Sequence, residues 1–143
     1  MSEIFVAASK ALAEWGAEVG VTKQLFHVGI TEGGAAEAVA AMNEARLASV
    51  DDWKLIKKAD AGTLTEDVAF GRIGGREKLV DPNYYPRLKG ARGVFKVKPE
   101  NAERHFLVQR ALAGEMIKSI KLRPIEIAIY LIETALGPKA TED

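Results

Sequence analysis

The residues with the clearest potential for chemistry are the basic and aromatic side chains interleaved between positions 69 and 98. This segment holds eight basic residues against only Glu77 and Asp81, in a chain whose 20 basic and 20 acidic residues balance to zero. Cations neutralise phosphates and aromatic rings stack on bases, so the pattern indicates binding to single-stranded nucleic acid or another polyanion. The candidate anion-binding residues are Arg72, Arg76, Tyr84, Tyr85, Arg87, Lys89, Arg92, Lys96 and Lys98.

The same basic segment has a second interpretation, because it is also where glycine and proline concentrate. Such a composition is typical of a connecting loop. A loop carries its charges outward simply because it is solvated, and Tyr84, Tyr85 and Phe95 would then anchor it to the core. The sequence leaves both interpretations open.

Other catalytic and metal-binding patterns are missing from the sequence. The two histidines, His27 and His105, lie far apart and lack histidine neighbours at ligand spacing, and there is no cysteine at all. Glu126 and Glu133 share one face of the last helix, where we interpret them as its solvent-facing edge rather than as buried acids with raised pKa values. The sequence therefore predicts no catalytic residue, no metal site and no cofactor.

Apolar residues at helical spacing predict most of the elements that would position these side chains. We expect helices over residues 2–15, from Thr31 to about Leu47, from Ser49 onward, from Thr65 to near Gly71, from Pro99 to about Ile120, and from Pro124 to Leu136. A short turn would carry residues 25–28. Residues 93–98 alternate apolar and basic, which predicts one strand, and residues 78–80 are its best partner.

These elements together predict a mainly α fold. We expect a compact helical domain of about five to six helices, with the Gly/Pro-rich basic loop, and a possible short β-hairpin in it, between the N-terminal helices and two C-terminal helices. The length of 143 residues fits one domain. That domain would span residues 1–138, with 71–98 as a loop or short-strand insertion and 139–143 as a flexible tail.

The last predicted helix is apolar around nearly its whole circumference. A helix of this kind is either central in the core or shared with another subunit. The second possibility predicts self-association or a homodimer through a surface formed by Ile125, Ile129, Tyr130 and Ile132.

Three hypotheses about function follow. The first is a small helical interaction protein, such as an adaptor, regulator or subunit, which acts by protein–protein association. The second is nucleic-acid or polyanion binding through segment 69–98. The third is an enzyme or small-molecule binder in which Arg87 or Arg92 holds an anionic ligand beside the long helix. We expect a cytoplasmic protein without a membrane partner, since the sequence has neither a secretory signal pattern nor an apolar run of about 20 residues.

Overall fold

The computed structural model describes residues 2–21, 24–81, 85, 88, 91–115 and 121–137, and these form an α/β protein built on one antiparallel sheet. The strands are β1 (Glu3–Ser9), β2 (Leu25–Thr31), β3 (Trp53–Asp60), β4 (Lys78–Leu79) and β5 (Val94–Lys96). The helices are α1 (Lys10–Glu18), α2 (Ala35–Glu44), α3 (Glu66–Gly74), α4 (Pro99–Leu112) and α5 (Pro124–Leu136). A 3₁₀ turn covers Leu47–Ser49.

The sheet has the strand order β3-β1-β2-β5-β4, so β2 is the central strand and β1 lies between β2 and β3. Glu3 is opposite Thr31 in β2 and Asp60 in β3, and the register between β1 and β3 shifts once, between Val6 and Ala7. At the other end β5 pairs with both β2 and β4. The two-residue strand β4 therefore forms one edge of the sheet, and β3 forms the other.

Helices cover both faces of this sheet. Successive side chains of a strand point to opposite sides, so each strand contributes to a hydrophobic cluster on each face. Ile4 and Val6 of β1 pack in a hydrophobic cluster with residues of α3, α4 and α5. Phe5 and Ala7 pack in a second cluster with residues of α1 and α2. The fold therefore has three layers, with α3, α4 and α5 on one side of the sheet and α1 and α2 on the other.

The prediction of a mainly α, all-helical domain is wrong, and the first element shows why. Residues 2–15 were expected to form one helix, but they form strand β1 followed by α1. A strand that is buried on both faces has no apolar–polar alternation, and a short apolar run of this kind cannot be told from a helix by periodicity. The helix cap is accordingly Ser9, whose hydroxyl accepts from the amide of Leu12 at 3.0 Å, rather than Ser2.

The prediction of a helix from Ser49 is also wrong, since residues 53–60 form β3. Asp52 was expected to satisfy free amides at the start of a helix beginning at Ser49. It instead accepts from an amide in the first turn of α1. Its carboxylate accepts from the amide of Ala11 at 2.9 Å and from the hydroxyl of Ser9. Residues 25–28 likewise belong to strand β2 rather than to a turn, and the alanine-rich helix is shorter than expected, Ala35–Glu44.

The C-terminal half agrees better with the sequence. Helix α3 begins after Thr65, whose side chain accepts from the amide of Val68 at 3.3 Å. The predicted pairing of residues 78–79 with the strand around Phe95 is confirmed. Proline occupies the first turn of both α4 and α5, as predicted.

Some predictions concern residues outside the described ranges. The helix predicted from Pro99 to about Ile120 is too long, because α4 ends at Leu112 and residues 113–115 are not helical. Residues 116–120 and the expected tail at 139–143 lie outside the described ranges. Within the ranges that the structure describes, the helices are too short or too polar to cross a membrane.

Candidate functional site

The candidate site is built around Glu77, a carboxylate that is only 4% exposed. The chain reaches it just after α3, where the amide of Glu77 donates to the carbonyl of Ile73 at 2.8 Å. Its Oε1 accepts from the amide of Lys98 at 2.8 Å, and its Oε2 accepts from Asn101 Nδ2 at 3.0 Å and from the Tyr130 hydroxyl at 2.5 Å. A buried charge needs such partners, and here they tie the α3–β4 connection to α4 and α5.

Tyr130 is the partner of Glu77 that α5 contributes. Burial, the hydrogen bond to Glu77 and the negative charge of Glu77 together hold the pKa of the Tyr130 hydroxyl well above its ordinary value. The phenol therefore stays protonated and acts as the donor to Glu77. Its ring packs edge-on against His105, with ring centroids 5.2 Å apart.

His105 is held between a carboxylate and a guanidinium. Its Nε2 lies 2.8 Å from Glu133 Oε1, and its Nδ1 lies 3.4 Å from Arg76 Nη1. A carboxylate only accepts and a guanidinium only donates, so we assign Nε2 as the donor to Glu133 and Nδ1 as the acceptor from Arg76. Gln109 Nε2 donates to the same Glu133 oxygen at 2.9 Å, which fixes that carboxylate from a second side.

These side chains surround an open cleft of about 500 Å³ beside α4, which we call the polar cleft. Its lining is Arg76, Asn101, Arg104, His105, Val108, Gln109 and Tyr130. Guanidinium groups and side-chain amides recognise carboxylates and phosphates by directed hydrogen bonds, and an oriented imidazole can accept or return a proton. The arrangement is suited to an anionic ligand with further polar groups.

A second hollow of about 410 Å³ adjoins the polar cleft, and we call it the lysine groove. It is lined by Gly74, Gly75, Arg76, Glu77, Lys78, Lys96 and Lys98. The two hollows share Arg76.

The structure separates the candidate anion-binding residues of segment 69–98. Arg76, Lys96 and Lys98 come together in the lysine groove. Arg72 and Arg92 make contacts within the protein: Arg72 Nη1 donates to the carbonyl of Ala135 at 2.9 Å, and the exposed Arg92 lies over the Phe70 ring at 5.2 Å.

Arg92 also forms ion pairs, at 2.6 Å to Asp67 and 3.5 Å to Glu66. Tyr85 packs edge-on against Trp15, with ring centroids 5.5 Å apart, in the layer of α1 and α2. Tyr84, Arg87 and Lys89 lie outside the described residues. The described basic residues of the segment are therefore divided between the lysine groove and contacts within the protein.

The candidate association surface is placed largely inside the fold. Tyr130 is 0% exposed and Ile132 is 4% exposed, both within the cluster between α5 and the sheet. Ile129 is partly buried, and Ile125 is 37% exposed. The apolar circumference of α5 is thus accounted for by the sheet on one side and by α3 and α4 on others.

Sequence reasoning missed most of the polar cleft. Asn101, His105 and Gln109 are four residues apart, so they share one face of α4, and this spacing was a usable signal. The partner on α5 had no such signal, because Glu133 meets His105 only through the packing of the two helices. Glu126, which was expected to share a face of α5 with Glu133, caps the start of that helix. The Arg123 guanidinium donates to the Glu126 carboxylate at 2.6 Å and lowers the pKa of Glu126 to about 2.

The other histidine, His27, lies away from both hollows on β2. It is 8% exposed, stacks on Phe5 with ring centroids 5.9 Å apart and meets Trp53 edge-on with centroids 5.7 Å apart. Burial lowers its pKa to about 4, so it is neutral at physiological pH. Across the described part of the chain, no cluster of three or more His, Cys, Asp or Glu side chains could hold a metal ion.

Comparison of the chain with known protein families, with characterised proteins and with solved structures finds no match. The geometry of the two hollows is therefore the basis on which a function is proposed.

Proposed function

We propose that this protein binds a small anionic molecule in the polar cleft. The observation that carries the proposal is that Arg76 and Arg104 both face the cleft, and neither forms an ion pair with an acidic side chain of the described residues. Elsewhere, Arg46, Arg92, Arg110 and Arg123 are paired with carboxylates. Two arginines left without a carboxylate at one concave surface are suited to an anion supplied from outside.

The remaining polar groups of the cleft would orient that ligand. Asn101 and Gln109 offer amides, although each already donates within the protein, to Glu77 and to Glu133. His105 is held by Glu133 and Arg76 on its two ring nitrogens, so its ring forms a fixed wall of the cleft. Groups held in this way lose little freedom on binding, which favours affinity.

The two other hypotheses stay predictions, and the geometry favours them less. Protein association through α5 would have to rely on Ile125 and part of Ile129, because Tyr130 and Ile132 are buried. Nucleic-acid binding would have to rely on the lysine groove, since Arg72 and Arg92 are engaged within the fold. A cytoplasmic location likewise stays a prediction, which cell fractionation would test.

Isothermal titration calorimetry with succinate, citrate, inorganic phosphate and AMP tests the proposal. We expect saturable binding of at least one of these anions, weakened about 10- to 100-fold by Arg104→Gln because a charged hydrogen bond is lost. Arg110→Gln is the matched control, because Arg110 lies on the same helix outside the cleft and is paired with Glu115. Absence of saturable binding across the panel, or equal weakening by both variants, would contradict the proposal.

A further inference from the structure

The lysine groove gathers four cationic side chains, those of Arg76, Lys78, Lys96 and Lys98, against the single carboxylate of Glu77. The groove lies where α3 ends at Gly74 and Gly75 and where Lys78 and Lys96 meet across the sheet. In the described ranges, no carboxylate forms an ion pair with Lys78, Lys96 or Lys98. Glu77 lines the groove, but its two oxygens already accept from three internal donors.

The placement of Lys96 is the most specific observation. Lys78 and Lys96 are register partners in neighbouring antiparallel strands, and like charges directly opposite one another destabilise a sheet. Lysines on edge strands often prevent sheets from joining, and this could explain Lys78 on the edge strand β4. It does not explain Lys96, because β5 is an inner strand that is paired on both sides.

We propose that the lysine groove binds a phosphoryl group. A phosphate or diphosphate carries the negative charge that would remove the repulsion between Lys78 and Lys96. Arg76 and Lys98 line the same groove and add two further cations. Gly74 and Gly75 have no side chains that would project into the groove. A Cβ built at Gly74 would meet no atom within 4 Å, and one at Gly75 would meet only backbone oxygens at 3.5 Å and beyond. The wall therefore leaves room for a bulky anion.

The position of Arg76 connects this site to the polar cleft. Arg76 lines both hollows, and Glu77, which lines the groove, is bonded to Tyr130, which lines the cleft. The ligand class that fits the two together is a small phosphorylated molecule, with its phosphoryl group in the lysine groove and its polar body in the cleft. This last step rests on the proposed function, whereas phosphoryl binding in the groove does not.

Calorimetric titration with inorganic pyrophosphate tests the inference directly. We expect saturable binding that weakens at least about tenfold in the Lys78→Gln/Lys96→Gln double variant. The matched control is Lys54→Gln/Lys57→Gln, which removes the same charge from the exposed lysines of the opposite edge strand. Arg104→Gln separates the two proposals, because it should weaken ligands of the polar cleft while leaving pyrophosphate binding unchanged.

The unliganded double variant offers a second readout. Because the repulsion between Lys78 and Lys96 is removed, its thermal midpoint should equal or exceed that of the wild-type protein, which also shows that it folds. Absence of pyrophosphate binding, or the same loss in both double variants, would overturn the inference. So would tighter binding of a single-stranded RNA oligonucleotide than of pyrophosphate, since a nucleic-acid surface would then be the better description.

Discussion

The hydrogen-bond network of Glu77, the residue around which the candidate site is built, could not be predicted from the sequence. In the sequence it is one of two acids within a basic segment, yet in the fold it is buried and accepts hydrogen bonds from Lys98, Asn101 and Tyr130. No spacing rule joins positions 77, 101 and 130. Their meeting depends on how α3, α4 and α5 pack, so a single sequence could supply the residue types but not the network.

His27 yields a prediction on pH dependence. Its pKa is lowered from 6.5 to about 4 in the folded protein, so the unfolded chain binds more protons between these values. The free energy of unfolding should therefore fall as the pH drops below about 6.5, by about 2 kcal/mol between about pH 7.5 and about pH 5. Urea unfolding of the wild-type protein at these two pH values measures the difference.

The control for this prediction is His27→Leu, which keeps an apolar contact between Phe5 and Trp53 but cannot titrate. Its free energy of unfolding should change less over the same pH range. The carboxyl groups whose pKa values are lowered, Asp52 and Glu126, titrate in the unfolded chain near 4 and contribute mainly at lower pH. If wild-type protein and variant lost the same stability, His27 would not be the group responsible.

At the scale of elements, the least predictable parts were the three long strands. Strand β1 is apolar on both faces because helices cover both, so its pattern resembled the start of a helix. Strand β3 mixes Trp53, Leu55 and Ile56 with three lysines as an edge strand does. By contrast α3, α4 and α5 carry their own boundary signals, a threonine cap or an initial proline, and were predicted correctly at those ends.

Gly93 gives a prediction about how β5 enters the sheet. Its φ is +92°, and an added Cβ would lie 2.5 Å from the carbonyl oxygen of Val28 and 2.9 Å from the Phe70 ring. We expect Gly93→Ala to reduce the free energy of unfolding by about 3 kcal/mol, because backbone strain and steric overlap act together. Equilibrium unfolding in urea measures this loss.

The matched control is Gly62→Ala. Gly62 also has a positive φ, +58°, but an added Cβ there would meet no atom within 4 Å. This variant should lose only about 1 kcal/mol, the cost of the left-handed conformation for alanine. Equal losses at the two positions would show that the close approach of Gly93 to β2 and α3 is not important for stability.

The whole molecule combines a zero net charge with a local concentration of cations. The sequence identified the basic segment, and the structure brings Arg76, Lys96 and Lys98 from it into one groove, while Arg72 and Arg92 serve the fold. The cleft beside that groove is lined mainly by α4, which the third hypothesis had placed next to the basic segment, and by Tyr130 of α5, which no sequence pattern connected with it. The three-layer packing is therefore what creates the candidate site.

The most direct test of the proposed anion binding is a two-dimensional ¹H–¹⁵N NMR titration of the labelled protein with citrate and with AMP. The side-chain amides of Asn101 and Gln109 report from inside the cleft itself. We predict saturable shifts at these amides and at the backbone amides of Arg76, Arg104 and His105, reduced in Arg104→Gln and unchanged in Arg110→Gln. Shifts that are absent, or that are spread over the surface without saturating, would contradict the assignment of the polar cleft as a ligand site.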